Sequence, residues 1–283
     1  MADQPARSRV DARTRTVGII GWPVEHSLSP LIHNTAFVAL EMNWVYVPIP
    51  VPPGELSAAL AGLAALGFVG ANVTMPHKTE AAAVADEVSE DARRLNAVNT
   101  LVVNAGGLAG HNTDAPGFDR FLRRDAGFDA SGRRALLFGA GGAARACALA
   151  LARAGLAHLT VALREPARAA ALLATLDGLD PDVAVVQMAD AGGSEVDLVI
   201  NATPLGTHDE ELPLPPLGPE SLVVDLLYRP AVTPMQRAAR EAGAAAFGGL
   251  GLLLHQAALS FELWTGREPP LDAMSAAALA ELA

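Results

Sequence analysis

The chain has 283 residues and a formal net charge of −11, and its composition limits the classes of protein to which it can belong. Hydrophobic residues make up 51% and charged residues 18%, which allows a sizeable core and excludes a mainly disordered chain. No basic stripe is present that could neutralise phosphates, so nucleic acid is not an expected partner. The net negative charge does not exclude a small anionic ligand, because a few local cations can still bind it.

Cysteine use and hydropathy indicate the compartment. The single cysteine, Cys147, excludes a disulfide framework within the chain and fits a reducing cytoplasm. No stretch reaches the roughly 18 uninterrupted apolar residues of a membrane helix, so no membrane association is expected. Residues 1–15 contain four arginines but no apolar segment, so we expect a disordered tail and no secretory signal.

Short apolar runs alternate with Ala/Leu-rich segments of helical length along most of the chain. This alternation predicts an α/β protein with mostly parallel sheets. The predicted strands are Val17–Ile20, Val45–Ile49, Gly70–Val73, Val98–Val103, Arg134–Phe138, Leu159–Leu163, Val183–Val186, Leu198–Asn201 and Leu222–Asp225. The predicted helices include Pro30–Glu41, Gly54–Leu66, Gly142–Ala154, Pro166–Leu176 and Leu271–Leu282.

The order of these segments predicts two domains. A new series of alternating strands and helices starts at Arg134 and ends near Phe247. We therefore expect a Rossmann-type dinucleotide-binding domain over residues 114–249. The substrate-binding domain is expected to combine residues 16–113 with residues 250–283, because the apolar helix after Gly249 needs another surface to cover.

A glycine-rich string follows the predicted strand Arg134–Phe138 and opens a helix. Its small residues let the backbone turn sharply and approach a pyrophosphate, and the helix start offers N–H groups and a positive dipole end. A glycine-rich string alone is weak evidence for a dinucleotide site. Here its place between a strand and a helix is the structural context that such a site requires. The predicted pyrophosphate contacts are Gly139, Ala140, Gly141, Gly142 and Ala143.

The end of the second strand of this unit indicates which dinucleotide binds. An NAD site usually has an acidic residue about 20 residues past the loop. Leu163 stands there instead, and Arg164 and Arg168 follow it, so the sequence predicts a 2′-phosphate contact and NADP as the cofactor. Glu165 leaves alternatives open, because it can neutralise Arg164 or contact a ribose. A solvated helix start is the other interpretation of the arginines.

Polar side chains follow several predicted strands in the first half of the chain. Ser27 and Ser29 alternate after the first strand and would face one side of an extended loop. Ser29 before Pro30 also fits a helix N-cap. Further polar strings occupy residues 72–78, 97–100 and 110–114. Ligands bind at strand ends in open α/β sheets, so these hydroxyls, amides, ammonium and carboxylate predict a polyhydroxylated acid as the ligand.

These strings resemble the shikimate dehydrogenase family from about residue 17 to residue 264. The resemblance covers the HSxSP-type, NVTxPxK, AVNT and NTD strings of the first half, at His26–Pro30, Asn72–Lys78, Ala97–Thr100 and Asn112–Asp114. It continues with the GAGG loop at Gly139–Gly142, an NATP-like string at Asn201–Pro204 and a GLGML…QAA-like helix at Gly249–Ala258.

The resemblance implies two α/β domains with the active site in the cleft between them. It also implies the reversible NADPH-dependent reduction of 3-dehydroshikimate to shikimate, on the way to aromatic amino acids. Ser27 and Ser29 would bind the substrate carboxylate, and Lys78 and Asp114 would form the catalytic pair. The ring hydroxyls would be held by Thr74, Asn99, Asp114 and Gln256.

On the cofactor side, the resemblance implies that Tyr228 approaches the substrate and that Gly249 and Leu252 lie at the nicotinamide. Leu226 is included among the expected cofactor contacts. Thr203 either borders the cofactor or only ends a strand. Three departures from the family pattern affect this side, and the first two are Leu163-Arg164-Glu165 in place of a frequent Asn-Arg-Thr and Gly248 in place of a frequent Asp. Leu252 itself replaces a frequent Met.

Two other interpretations share most of these motifs. One is an NAD-using quinate/shikimate dehydrogenase, and the other is a non-catalytic relative that binds such ligands and has a regulatory role. The presence of both Lys78 and Asp114 favours an enzyme. No metal is expected, because His26, His33 and His77 do not form a convincing ligand set. The sequence leaves a homodimer open.

Overall fold

The computed structural model describes residues 10–193 and 195–282, which form two compact units. Unit 1 contains the chain up to Thr113 and again from Gln256, and unit 2 is Asp114–His255. The first boundary lies where the sequence placed it. The second lies at 255/256 rather than 249/250, inside a helix whose first residues pack in unit 2.

The expected disordered tail is described only from residue 10, because residues 1–9 lie outside the described residues. Residues 10–15 are described, and several of them make hydrogen bonds. The N–H of Thr14 donates to the Asp11 carbonyl at 3.1 Å, and the Thr14 hydroxyl donates to Asn43 Oδ1 at 2.7 Å. Asn43 Nδ2 donates to the Asp11 carboxylate at 2.9 Å, and this hydrogen bond is the main reason that the Asp11 pKa is lowered. These bonds hold a turn directly before the first strand.

Unit 1 contains a mixed sheet of six strands among the described residues, in the spatial order β2-β1-β3-β5-β6-β4. The strands are β1 (Arg15–Gly21), β2 (Trp44–Pro50), β3 (Gly70–Val73), β4 (Glu87–Val88), β5 (Thr100–Asn104) and β6 (Gly107–His111). Strand β1 pairs in parallel with β2 and β3, whereas β5 runs antiparallel to β3 and β6. The α/β prediction is confirmed, but the β5–β6 hairpin was not expected, because the glycines of Gly107-Leu108-Ala109-Gly110 indicate a turn.

Four helices of unit 1 precede the boundary at Thr113, counted among the described residues. They are α1 (Ser29–Ala39), α2 (Leu56–Ala65), α3 (Lys78–Val84) and α4 (Glu90–Leu95). One core cluster packs α2 and α3 with strands β1, β3 and β5, and Ile20, Leu56 and Leu101 are fully buried there. The loops that follow β1 and β3 are joined to each other by a hydrogen bond from the Trp22 N–H to the Met75 carbonyl at 3.1 Å.

Unit 2 contains a wholly parallel sheet in the spatial order β12-β11-β10-β7-β8-β9, counted among the described residues. Its elements are α5 (Asp114–Arg124), β7 (Arg134–Phe138), α6 (Gly142–Arg153), β8 (His158–Leu163), α7 (Ala170–Thr175), β9 (Asp182–Gln187), β10 (Leu198–Asn201), β11 (Leu222–Asp225), α8 (Pro234–Glu241) and β12 (Ala245–Phe247). This is the Rossmann order, in which the topology reverses beside the first strand, β7. The predicted helix Pro166–Leu176 divides into a 3₁₀ turn, Pro166–Ala169, and α7.

Two helices complete the chain, α9 (Leu250–Thr265) and α10 (Leu271–Leu282). Helix α9 begins in unit 2 and ends in unit 1. In unit 1 its Trp264 Nε1 donates to the Leu101 carbonyl at 2.9 Å, and Phe261 is fully buried against Phe37 of α1. Among the residues described, no helix is both long enough and apolar enough to cross a membrane.

Candidate active site

The loop after β1 carries Ser27 and Ser29 into the start of α1. Helix α1 begins at Ser29, and its N-cap residue is Leu28, which makes no side-chain capping bond. Ser27 Oγ accepts a hydrogen bond from the Ser29 N–H at 3.2 Å. The interpretation of Ser29 as the N-cap is therefore wrong, and the hydroxyl that satisfies the helix start belongs to Ser27. Ser29 is buried and Ser27 is half-buried.

A buried tyrosine lies beneath this loop. The Tyr46 phenol donates to Asn72 Oδ1 at 2.8 Å, and the Asn34 carboxamide pairs with both backbone groups of Tyr46 at 2.9 Å. Burial raises the pKa of Tyr46 well above its ordinary value, and a hydrogen bond with Ser29 acts in the opposite sense. Tyr46 thus links Ser29 to the polar groups of β3. The sequence did not indicate this role, because an aromatic residue in a strand is typical of a core.

A hydroxyl-amide cluster of Asn72, Asn99, Thr100, Thr113 and Ser260 continues from this point, and all five residues are buried. Asn72 Nδ2 lies 3.1 Å from Thr100 Oγ1 and 3.0 Å from Ser260 Oγ, and the two hydroxyls are 2.8 Å apart. Ser260 donates to the Gln256 carbonyl at 3.0 Å. One cluster therefore joins the ends of β3 and β5 to helix α9.

The same cluster also holds Thr113, the last residue of unit 1 before the first boundary. The Thr113 N–H donates to Asn99 Oδ1 at 2.8 Å, and Asn99 Nδ2 donates to Thr113 Oγ1 at 2.9 Å. Asp114 follows directly as the first residue of α5 and is 8% exposed. Thr74 is half-buried immediately after β3. The cluster thus holds the segments that carry Thr74, Asn99 and Gln256, which the sequence predicted to bind hydroxyls.

Lys78 is the first residue of α3 and is half-buried. Its carbonyl accepts a hydrogen bond from the Val98 N–H at 2.9 Å, which ties the start of α3 to the segment before β5. The preceding His77 is buried, and its Nε2 lies 2.7 Å from the Val51 carbonyl, as expected for a packing role. In the part of the chain that the structure describes, no group of three or more His, Cys, Asp or Glu side chains is placed to hold a metal ion.

In unit 2 the glycine-rich loop joins β7 to α6. Gly139 has a φ of +106°, and a Cβ there would lie 3.0 Å from the Ala202 carbonyl oxygen, so glycine is required. Gly141 is the N-cap of α6 without a side-chain capping bond. A Cβ on Gly141 or Gly142 would meet no described atom within 4 Å. Open space therefore lies before uncapped helix N–H groups, and this arrangement fits the pyrophosphate of a dinucleotide.

A cavity of about 480 Å³ adjoins this loop, and we call it the cofactor cavity. It is lined by Gly139, Ala140, Gly141, Leu163, Arg164, Glu165, Arg168, Met188, Thr203, Pro204 and Leu205. The structure thus brings both predicted arginines and Thr203 to the glycine loop. Met188 was not predicted, because it follows β9 in a segment without a recognisable pattern. Glu165 Oε2 accepts from Arg168 Nε at 3.0 Å, a partner that was not among the alternatives considered for Glu165, which were Arg164 and a ribose.

A buried carboxylate organises the loops after β10 and β11. Asp225 Oδ1 accepts from Asn201 Nδ2 at 3.0 Å and from the Leu227 N–H at 3.1 Å, and Oδ2 accepts from the Thr233 hydroxyl at 2.6 Å. Burial raises the pKa of Asp225, and the hydrogen bonds from Thr233, Leu227 and Asn201 oppose this effect. Asn201 Oδ1 in turn accepts from the Thr203 N–H at 3.0 Å. Sequence reasoning missed Asp225, whose only local signal was its position at a strand end.

The predicted residues Leu226 and Gly249 are neighbours. A Cβ on Gly249 would overlap the Leu226 carbonyl, and the Gly249 N–H donates to the Leu227 carbonyl at 2.9 Å. Glycine at 249 thus permits the loop after β11 to approach the start of α9. Tyr228 and Leu252 are both half-buried near these segments in the chain.

The fold and these sites together define a class of protein. A Rossmann sheet carries an uncapped glycine loop beside two arginines. A separate α/β unit of the same chain carries buried hydroxyls and amides near a half-buried lysine. This combination is typical of oxidoreductases that use a nicotinamide dinucleotide and act on a small polar substrate.

Comparison with known proteins identifies the family. The family model for the shikimate dehydrogenase substrate binding domain matches residues 19–101, and that for the shikimate 5′-dehydrogenase C-terminal domain matches residues 249–279. A shikimate dehydrogenase (NADP(+)) of Moorella thermoacetica is 50% identical over 275 residues, which cover 94% of this chain and 93% of that protein. The chain belongs to the shikimate dehydrogenase family.

Solved structures of similar proteins agree over almost the whole length. A shikimate dehydrogenase in complex with NADP⁺ is 36% identical with a TM-score of 0.91, covering 99% of this chain and 100% of that chain. The shikimate 5-dehydrogenase of Thermus thermophilus, in complex with NADP(H) and shikimate, is 39% identical with a TM-score of 0.84. That match covers 94% of this chain and 99% of that chain.

Proposed function

We propose that this chain catalyses the reversible NADPH-dependent reduction of 3-dehydroshikimate to shikimate, a step of chorismate and aromatic amino acid biosynthesis. The observation that carries the proposal is the 50% identity, over 94% of the chain, to a shikimate dehydrogenase that uses NADP(+). The cofactor cavity supports it, because two arginines line the cavity beside the glycine loop.

In this proposal the substrate binds to polar residues that the strand ends of unit 1 position. The hydroxyls of Ser27 and Ser29 donate to its carboxylate. Its ring hydroxyls meet Thr74, Asn99, Asp114 and Gln256, and Tyr228 completes the contacts from the cofactor side. The hydroxyl-amide cluster supports this assignment, because it rigidly holds the segments that carry three of these residues.

The cofactor is held by residues of unit 2. The backbone of Gly139, Ala140, Gly141, Gly142 and Ala143 approaches the pyrophosphate, and Arg164 and Arg168 bind the 2′-phosphate. Thr203 and Leu226 contact the cofactor, and Gly249 and Leu252 lie at its nicotinamide. The open space before α6 and the charges in the cofactor cavity support these roles.

When bound, the nicotinamide supplies the hydride for reduction and accepts it for oxidation. During reduction Lys78 donates a proton to the oxygen that becomes the alcohol, and during oxidation it accepts that proton. Asp114 orients the ammonium and hydrogen-bonds a neighbouring hydroxyl. General acid–base help of this kind is usually worth ~10²–10⁴ in rate.

The proposal extends to the location and assembly of the enzyme. A cytoplasmic location fits the single cysteine, because a reducing compartment needs no disulfides. For the assembly, a homodimer is the alternative to a monomer, and sedimentation velocity distinguishes the two.

The test is to oxidise shikimate and quinate separately, each with NADP⁺ and with NAD⁺. We expect the highest kcat/KM for shikimate with NADP⁺. Equal or higher efficiency for quinate with NAD⁺ would instead indicate an NAD-using quinate/shikimate dehydrogenase. Binding of both ligands without turnover in any combination would indicate a non-catalytic relative.

A further inference from the structure

The cofactor cavity places one carboxylate among its cations. Arg168 Nε lies 3.0 Å from Glu165 Oε2, and the exposed fractions of the two side chains are 75% and 63%. Arg164 also lines the cavity, and it has no ion-pair partner among the described residues. The two arginines are therefore not equivalent before any ligand binds.

The local backbone makes this pairing a consequence of the sequence. Glu165 precedes the 3₁₀ turn Pro166–Ala169, and the Arg168 N–H donates to the Glu165 carbonyl at 3.0 Å. Glu165 is the N-cap residue of this turn, and its side chain reaches forward to Arg168 Nε at 3.0 Å. Pro166 favours this turn, because its ring restricts φ at the first position. Glu165 and Arg168 thus face the same side.

A carboxylate in this position affects the two dinucleotides in opposite ways. It repels the 2′-phosphate of NADP and competes with that phosphate for Arg168. With NAD it can accept a hydrogen bond from a ribose hydroxyl, as the acidic residue of NAD sites does. Both effects decrease the preference for NADP.

We infer that Glu165 is a specificity-determining residue that limits the preference for NADP, and that Arg164 is the principal contact of the 2′-phosphate. The inference rests on the proposed function only in that the chain binds NADP. Arg168 contributes less than Arg164, because Glu165 shares its charge. A residue outside the predicted cofactor set thereby sets how strictly the cofactor is selected.

The first test measures ligand binding by calorimetry with 2′,5′-ADP and 5′-AMP as probes. Glu165→Gln should increase the affinity for 2′,5′-ADP about two- to fivefold, as expected for removing one exposed charge. The affinity for 5′-AMP should stay the same or fall. The matched control is Glu220→Gln, because exposed Glu220 precedes β11, which lies on the other side of β7 from β8 in the same sheet. An unchanged ratio of the two affinities in Glu165→Gln would overturn the inference.

The second test is a double-mutant cycle on the same probes. Arg168→Ala should weaken 2′,5′-ADP binding more in the Glu165→Gln background than in the unaltered chain, because Glu165 no longer shares the guanidinium. Arg164→Ala should have the same effect in both backgrounds and a larger effect than Arg168→Ala in the unaltered chain. An equal loss for Arg168→Ala in both backgrounds would contradict the inference.

These outcomes are separate from the test of the proposed function. Adenosine phosphates report on the cavity without turnover, so a chain that fails to oxidise shikimate can still show the effect of Glu165. Conversely, if the chain oxidises shikimate with NADP⁺ but Glu165→Gln leaves the affinities for both probes unchanged, that result would overturn only this inference. The effect of Glu165→Gln should also shrink as ionic strength rises, because exposed charges are screened.

Discussion

Lys78 is the residue on which the proposed chemistry depends most. It is half-buried at the start of α3, and its backbone is tied to Val98. Lys78→Ala should lower kcat by about 10² or more and leave the KM for shikimate within a few-fold, because proton donation is realised mainly in the transition state. Steady-state kinetics at saturating NADP⁺ measure both constants.

Asp114 provides the comparison for Lys78. Asp114→Ala should change both kcat and KM, since Asp114 is assigned a hydroxyl contact as well as an orienting role. Thermal melts of both variants control for folding. If Lys78→Ala retains nearly normal kcat, Lys78 has no part in proton transfer.

His33 is fully buried among aromatic rings, and its ring stacks on Tyr46 at a centroid distance of 4.5 Å. Neither of its ring nitrogens has a hydrogen-bond partner among the described residues. Burial lowers the pKa of His33 to about 3. The sequence favoured packing or helix capping over a metal-ligand role for this residue, and its surroundings agree with packing.

The low pKa of His33 predicts acid sensitivity. Below the ordinary histidine pKa, the unfolded chain binds a proton that the folded chain excludes. The His33 contribution is therefore fully present above that pKa and is lost toward about pH 3, at up to roughly 1.4 kcal/mol per pH unit. Urea unfolding should show that His33→Phe loses less stability than the unaltered chain between about pH 6 and about pH 4.

The matched control for this experiment is His26→Gln, which removes an imidazole that is exposed and not buried. The same slope of unfolding free energy against pH in His33→Phe and in the unaltered chain would show that His33 is not the group that titrates.

At the scale of elements, the loop between β1 and α1 is assigned to the substrate carboxylate. Replacing both Ser27 and Ser29 with Ala should raise the KM for shikimate at least about tenfold, because hydrogen bonds to charged groups contribute roughly 1.5–3 kcal/mol each. The Kd of NADP⁺ should change little. Kinetics and cofactor titration of the double variant measure both.

Ser27 also accepts the Ser29 N–H, so a thermal melt must accompany these measurements. A well-folded double variant with an unchanged KM would remove both serines from carboxylate binding.

The hydroxyl-amide cluster joins two strand ends of unit 1 to α9, and Ser260 is its shared member. Ser260→Ala should reduce the free energy of unfolding by about 1–3 kcal/mol, because Asn72 and Thr100 lose a buried partner. It should raise the KM for shikimate more than the Kd of NADP⁺. Chemical unfolding and the two titrations test this.

Exposed Ser131 supplies the control, since Ser131→Ala removes a hydroxyl outside the cluster. If Ser260→Ala matched Ser131→Ala in both stability and KM, the cluster would not position the substrate residues.

Strands and helices with a strong local sequence pattern were predicted, and those with a weak pattern were not. Apolar runs bounded by turns gave the bounds of β7, β10 and β11 as the structure has them, because a buried parallel strand is a continuous apolar run. The short helices α3 and α4 escaped prediction, since they are too short for a helical period. Helix α8 did carry a signal that was overlooked, the capping box of Thr233 and Gln236.

The candidate site was predictable only where its residues form strings. The motifs that contain Ser27, Lys78 and Asp114 are local and stand out in the sequence. Ser260 bonds Asn72 across 188 residues of sequence, and no local pattern indicates such a contact. Tyr46 and Asp225 escaped notice for the same reason, because their roles arise from what the fold packs around them.

At the scale of the whole molecule, a strongly acidic chain is assigned an anionic cofactor and an anionic substrate. The net charge of −11 opposes both ligands at long range. Salt screens that repulsion beyond about 8–10 Å, so the local arginines and helix N–H groups decide binding at contact distance. The charge of the molecule and the charge of its sites therefore do not conflict.

Identifying the product that the purified chain forms from shikimate and NADP⁺ tests the proposed reaction itself. We predict one 3-dehydroshikimate and one NADPH for each shikimate consumed, measured by mass spectrometry and absorbance, and the reverse reaction from 3-dehydroshikimate and NADPH. Failure to reduce NADP⁺ in the presence of shikimate, or a product oxidised at another carbon, would rule out the proposed reaction.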